Sequence, residues 1–365
     1  MKILTIFGTR PEAIKMCPLV LQLKKTPQIT CCVCLTGQHR EMLQQVMDVF
    51  KVQADYNLDI MKQNQTLSSI TISILTALEP ILQREKPDMI LVHGDTTTSY
   101  VAALVGFYNN IPIGHVEAGL RTYQMHAPYP EEFNRQSVDL MADLYFAPTE
   151  MAKQNLLKEG KKRERIFVTG NTVIDALSTT IRKDYENENL TWASDAKLIL
   201  LTAHRRENIG NPMREMFCAV RRIMREFPDV KIIYPIHKNP KVREVAEEIF
   251  GKESNIRLIE PLDVVDFHNF MARSSFILTD SGGIQEEAPA LGKPVLVMRN
   301  TTERPEGIKA GTLKLVGTQE ENIYKNIKQL LIDSKEYEAM SKAINPYGDG
   351  HASERIVQAI LDFFD

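Results

Sequence analysis

No segment of this chain comes near the roughly 18 consecutive apolar residues that a membrane helix needs. The apolar stretch near the start runs only from Ile3 to Phe7, too short for a secretory signal or a span. The expectation is a cytosolic (cytoplasmic) protein with no membrane partner. A basic surplus is missing too: 44 Lys and Arg stand against 47 Asp and Glu, a formal charge of -3. Nothing in that balance argues for a nucleic-acid partner, and positive charge has to act locally. The five cysteines, Cys17, Cys31, Cys32, Cys34 and Cys218, contain one C-x-C and no second ligand pair. That speaks against a disulfide scaffold or a zinc site and leaves the thiols as small buried hydrophobes. No His/Cys/Asp cluster has metal-ligand spacing, so no metal is expected. G-x-G-x-x-G does not follow the first strand and no Walker loop occurs, which weighs against nicotinamide dinucleotides and an ATP loop.

What is present is a steady alternation. Short apolar strand patterns fall at 2–7, 30–35, 88–93, 113–116, 144–147 and 166–168, with helical patterns at 12–25, 40–50, 66–84, 98–108, 132–142 and 150–158. The rhythm then restarts, with strands at 197–202, 231–235, 256–259, 276–279, 295–297 and 313–316. Helices are expected near 211–226, 240–249, 264–272, 283–291 and 320–332. Continuous apolar strands imply sheets covered on both faces. Two such runs in 365 residues predict an α/β protein with two doubly wound, Rossmann-like domains of roughly 170 residues each. The expected division is 1–170 and 171–350, with a boundary near Gly170. A last helix, 351–365, either completes the second domain or packs back on the first.

Two turns look built to hold an anion, and they lie in opposite halves of the chain. That points to a nucleotide-linked ligand in a central cleft between the domains. The first is GTRPEAIK, Gly8 to Lys15. Gly8 allows a tight turn, Pro11 suits a first helical turn, and the helix start offers N–H groups beside the fixed positive fork of Arg10. Lys15 follows about one turn along. The second is DSGGIQEEAPALGKP, Asp280 to Pro294. Its glycines Gly282 and Gly283 let backbone N–H groups approach a diphosphate, Ser281 adds a donor, and Glu287 suits the hydroxyls of a ribose.

Between the two turns, carboxylates and histidines follow strand ends, where ligands of open α/β sheets bind. Asp95 follows HG and precedes a helix, so it is either an N-cap or a chemical group. Glu117, in HVEAGLR, sits where a sheet ends, with Arg121 as a partner or a phosphate contact. Glu131 and Arg135, four apart, share a helix face. Crowded acids of this kind imply at least one raised carboxyl pKa. In the second half, His204 of TAHRREN faces the cleft and brings charge to a phosphate or leaving oxygen. His237 ends another strand, and His39 lies on the first domain's rim.

GTRPEAIK, TGQHREM, HGDTTT, HVEAGLR, PEEFNR, TAHRREN and DSGGIQEEA, in that order, closely resemble the non-hydrolysing UDP-N-acetylglucosamine 2-epimerases. The resemblance runs from Lys2 to the last helix and extends to the 301–306 turn. It implies the two-domain fold of the GT-B glycosyltransferases, a homodimer and no cofactor. It also implies interconversion of UDP-N-acetylglucosamine and UDP-N-acetylmannosamine for surface polysaccharides. Matched motif by motif, the family's catalytic residues fall on Asp95, Glu117, Glu131 and His204. Its UDP-binding residues fall on Arg10, Ser281, Gly282 and Glu287, with Arg135 and Gly283 nearby. Gln38, Arg205 and His237 match the neighbourhood where some members hold a second substrate molecule as an activator. The implied route eliminates UDP to 2-acetamidoglucal and adds it back to the other face. That route needs closure of the domains over the intermediate. The alternatives are a hydrolysing relative that releases N-acetylmannosamine, a GT-B glycosyltransferase and a nucleotide-sugar sensor.

Overall fold

Both runs of apolar strands form parallel sheets in the computed structural model, which describes residues 1–37, 40–62 and 65–365, the side chains of 40–42 excepted. Among the described residues the first sheet contains β1 (Lys2–Phe7), β2 (Thr30–Leu35), β3 (Tyr56–Asn57), β4 (Met89–His93), β5 (Ile113–Val116), β6 (Leu144–Ala147) and β7 (Ile166–Val168). Their order is β3-β2-β1-β4-β5-β6-β7. The second contains β8 (Lys197–Thr202), β9 (Val230–Pro235), β10 (Ile256–Ile259), β11 (Phe276–Thr279), β12 (Val295–Val297) and β13 (Leu313–Leu315). Its order, β10-β9-β8-β11-β12-β13, repeats the pattern. Every paired neighbour runs parallel.

Parallel neighbours need a long crossover, and helices supply it while covering both faces. That is why strands such as β4 are buried along their whole length. Each fully buried Leu, Ile or Val side chain contributes about 1.5–3 kcal/mol. In each sheet the strand order reverses once, between β1 and β4 and between β8 and β11. The crossovers leave in opposite directions there, which opens a crevice at the carboxyl ends of those strands.

One compact unit comprises Met1–Thr179 with Tyr347–Asp365, and the other Thr180–Pro346. The first unit thus runs past Gly170, because the helix Thr172–Thr180 is tied to the last helix, Ala352–Phe364. The Asp175 carboxylate accepts the backbone N–H groups of Ala352 and Ser353 at 3.2 and 2.7 Å. That satisfies two of the orphan donors at a helix start. The last helix also packs on Arg10–Lys25, so the segment expected at 351–365 belongs to the first unit. The polar stretch 183–195 holds one short helix, Glu188–Trp192. Cys17, Cys32 and Cys34 are buried, and burial pushes their thiols up to about 12, which makes them unreactive. Among the described residues no helix is long and apolar enough to cross a membrane.

Candidate active site

In the first unit the loops after β1 and β4 meet across the strand reversal. Gly8 is required by close approach: a Cβ there would lie 1.9 Å from Thr36 Oγ1. Thr9 then caps the helix Arg10–Lys25, and the Glu12 carboxylate reaches back to the N–H groups of Gly8 and Thr9 at 3.0 and 2.7 Å. The Glu12 carboxylate thus takes the two backbone donors just ahead of the helix, and Thr9 Oγ1 takes the N–H of Glu12. Glu12 also accepts from Thr96 Oγ1 at 2.7 Å and Ser99 Oγ at 3.1 Å. It thereby bolts the β1 loop to the β4 loop. Burial raises its pKa while these donors oppose the rise.

Asp95 is not the N-cap. Thr96 does that work, accepting from Ser99 N at 3.1 Å, which leaves the Asp95 carboxylate for other partners. Arg135 meets it at 2.6 Å. Burial raises the Asp95 pKa, Arg135 and Lys15 oppose it, and Glu117 and Glu131 add to it. Asp95 thus feels the charges of both Glu117 and Glu131. Glu131 opens its helix without a side-chain cap beneath it. The shared-face pairing with Arg135 is not what forms: Arg135 turns to Asp95 and, at 3.6 Å, to Glu132.

Glu117 sits in the left-handed region, at φ +68°, a conformation that costs a non-glycine residue about 1–3 kcal/mol. Lys15 and Asn171 both donate to its Oε2, the latter at 2.8 Å. Lys15, expected among the substrate- and UDP-binding residues, here meets a carboxylate. His93 Nε2 lies 3.8 Å from the same oxygen. Burial and then Lys15 push His93 down to about 3, against the pull of Glu117, so the imidazole is neutral at pH 7.

Arg121 does not reach Glu117. Its guanidinium is fully buried against Asp139 and Glu159, at 2.7 Å each. Asp139 also meets His115 Nδ1 at 2.6 Å, while His115 Nε2 lies 2.8 Å from the Gly94 carbonyl. A carbonyl only accepts, so Nε2 carries hydrogen. This chain braces the Gly94–Asp95 turn against β5. Burial alone would raise Asp139, but His115 and Arg121 hold it below the ordinary carboxylate value. A depressed carboxyl adds stability above its unfolded pKa and loses it as pH falls through the folded one. The apparent Tm gap between wild type and Asp139→Asn should therefore be widest at neutral pH and narrow below the ordinary carboxylate range. Scanning calorimetry from pH 7 to 3 checks it, and a gap independent of pH would refute it.

The second unit builds its loops around Asp280, at the carboxyl end of β11. This fully buried carboxylate accepts the N–H of His204 at 3.0 Å, the N–H of Arg205 at 2.9 Å and Asn208 Nδ2 at 3.1 Å. One side chain thus shapes the turn after β8. His204 stacks on His237, with ring centroids 5.7 Å apart and planes 17° apart. Burial lowers the His204 pKa, His237 acts in the same direction, and Asp280 opposes.

Ser281 has its own N–H engaged by Thr279 Oγ1 at 2.9 Å. Gly282 and Gly283 are not required by the fold. Neither is left-handed, and a Cβ on either would make only ordinary contacts, at 3.6 Å to Arg205 and 3.5 Å to Glu287. Glycine at both positions leaves no side chain over the backbone there. Glu287 lies 3.4 Å from His268 Nε2, and His268 Nδ1 is 2.7 Å from Thr180 Oγ1. The 301–306 turn is tied in by Thr302 on Gln285, at 2.6 Å, and by Arg304 on Glu286. Gln38 and His39 lie outside the described residues. Among those residues no group of three or more His, Cys, Asp and Glu is placed to hold a metal ion.

Sequence reasoning missed Glu12, Asp139 and Asn171 as parts of this machinery, and it named His93 and Asp280 without the partners they take here. Thr9-x-x-Glu12 is a legible capping box. The roles of the others depend on neighbours far away in sequence.

The family model described as UDP-N-acetylglucosamine 2-epimerase matches residues 21–361. A relative from Bacillus subtilis strain 168, named UDP-N-acetylglucosamine 2-epimerase, is 60% identical over 99% of this chain and 95% of its own. A crystal structure of a UDP-N-acetylglucosamine 2-epimerase is 58% identical, with a TM-score of 0.94, covering 100% of this chain and 96% of that one. The Neisseria meningitidis UDP-GlcNAc 2-epimerase, solved bound to UDP-GlcNAc, is 48% identical with a TM-score of 0.88, covering 99% of this chain and 100% of that one.

Proposed function

The chain belongs to the UDP-N-acetylglucosamine 2-epimerase family, and we propose that it epimerises C2 of UDP-N-acetylglucosamine without hydrolysing it. The observation that carries this reading is the gathering of three carboxyl-bearing residues beyond β4 and β5: Glu117 Oε1 lies over Gly94, beside Asp95, and the helix that Glu131 opens is tied to Asp95 by Arg135 at 2.6 Å and by Asn134 at 2.9 Å. Binding a dianionic UDP gives no reason to gather three carboxyls, because they repel it. Moving a proton on and off a carbon does.

The C2 hydrogen is not adjacent to a carbonyl carbon, so direct enolisation is closed. In the proposed route a carboxylate takes the C2 proton while the C1–O bond breaks, and its electron pair leaves with UDP. The products are 2-acetamidoglucal and UDP. Protonation of C2 from the opposite face, with UDP oxygen returning to C1, gives UDP-N-acetylmannosamine. No redox cofactor is consumed. The acid/base group is Asp95, Glu117 and Glu131, with Arg135 and Lys15 countering their charge. Arg10, His204, Ser281 and the open backbone of Gly282 and Gly283 serve the diphosphate, and Glu287 serves the ribose. On this reading the enzyme is a cytosolic homodimer that supplies surface polysaccharide synthesis. Arg205 and His237 lie in the neighbourhood of an activating second substrate molecule.

Proton NMR of the purified protein with UDP-N-acetylglucosamine alone, in deuterated water, tests it. The expected product is UDP-N-acetylmannosamine with deuterium at C2 and no free sugar. Free N-acetylmannosamine with stoichiometric UDP would make the enzyme a hydrolysing one. Full retention of C2 protium would sink the elimination route.

A further inference from the structure

We infer that Asn171 is a positioning residue for Glu117, on the proposed reading that Glu117 does acid/base work. Asn171 is 4% exposed and its amide orientation is determined by its neighbours. Its Oδ1 accepts the N–H of Val173 at 3.1 Å, at the start of the helix Thr172–Thr180. Only Nδ2 is then left to face Glu117, and it donates to Oε2 at 2.8 Å. The backbone of Asn171 is held as well, its N–H donating to the Tyr347 carbonyl at 2.7 Å. Gly170 and Gly348 let those two segments touch, since a Cβ on Gly170 would lie 3.0 Å from Gly348 Cα.

The anchor matters because Glu117 lies at φ +68° on a loop just past β5. Without outside support that conformation is disfavoured. Lys15 and Asn171 grip Oε2 from two different elements, and the other oxygen lies over Gly94, beside Asp95. Tyr347, which accepts from the Asn171 N–H, is the first residue after the chain returns to the first unit.

Among the described residues, charged and titratable groups facing Glu117 include Lys15 on the first helix, His93 at the end of β4 and Asp95 beyond it. All of them remain in Asn171→Asp, which also keeps the oxygen that caps Val173. That variant sets a second carboxylate against Oε2 and disfavours its charge. The expected results for Asn171→Asp are a near-normal Tm, KM within about twofold and an acid limb of kcat moved up by about one pH unit. Asn171→Ala should lower kcat about 10- to 100-fold with KM little changed. A merely structural role would lower Tm and leave the pH profile in place. An Asn171→Asp profile that superimposes on wild type overturns the inference. Should that variant fail to fold, Asn171→Ala with wild-type kcat overturns it, and a lowered kcat at unchanged KM supports it. Failure of the functional reading is separate and visible first, as wild-type protein that does not epimerise UDP-N-acetylglucosamine.

Discussion

Asp95→Asn is expected to lower kcat about a thousandfold, within the 100- to 10,000-fold range typical of a lost acid or base. UDP affinity should change by less than about tenfold. The substitution keeps the size and planarity of the side chain but removes its charge and its proton. Little else depends on that carboxyl. The following helix is capped by Thr96, and Asn134 Nδ2 donates to the backbone carbonyl of residue 95 at 2.9 Å, a bond the change leaves intact. Arg135 loses a partner at 2.6 Å but keeps Glu132. The nucleotide residues named above lie in the second unit, apart from Arg10, Lys15 and Arg135. A kcat defect with preserved folding and UDP binding therefore isolates chemistry. NMR rates under saturating substrate, together with UDP titration calorimetry, supply both numbers. Turnover within tenfold of wild type would remove Asp95 from the mechanism.

Replacing Asp280 by alanine should act differently, by collapsing a loop. The carboxylate is fully buried and accepts from the N–H groups of His204 and Arg205 and from Asn208 Nδ2. Removing it strands all three donors in the interior, at about 1–3 kcal/mol for each donor left unpaired. A net loss of about 3–5 kcal/mol is expected, since the loop can relax toward water. For a unit of this size that lowers its apparent Tm by about 6–20 °C. The turn carrying His204 should lose its shape with it, so UDP affinity should fall at least about tenfold. Calorimetric unfolding and UDP titration are again the measurements. Normal UDP binding by a destabilised variant would confine Asp280 to folding.

Much of the architecture was legible because apolar strands and amphipathic helices have different periods. β1, β4, β8 and β11 could be read as buried parallel strands, and the turns after them as candidate sites. The two-residue β3 and the helix Glu188–Trp192 are too short to show a period. Asp95 was ambiguous, because a short acidic residue before a helix suits capping and chemistry equally. Thr96 resolves that ambiguity only once its hydroxyl is placed on Ser99. Arg121 was misread for a related reason: its partners, Asp139 and Glu159, lie on elements far along the chain.

The sequence by itself determined the α/β class, the two strand runs, the loops that carry chemistry and the family resemblance. These follow from local patterning, in which neighbouring residues decide strand, turn and helix. Tertiary structure alone decided which acid takes which partner, because each pairing joins loops distant in sequence. Glu12 spends its carboxylate on two backbone donors and two hydroxyls, Asp280 organises the His204 turn, and Asn171 holds Glu117. A buried charge must find donors wherever the fold brings them, and no periodicity records where that is.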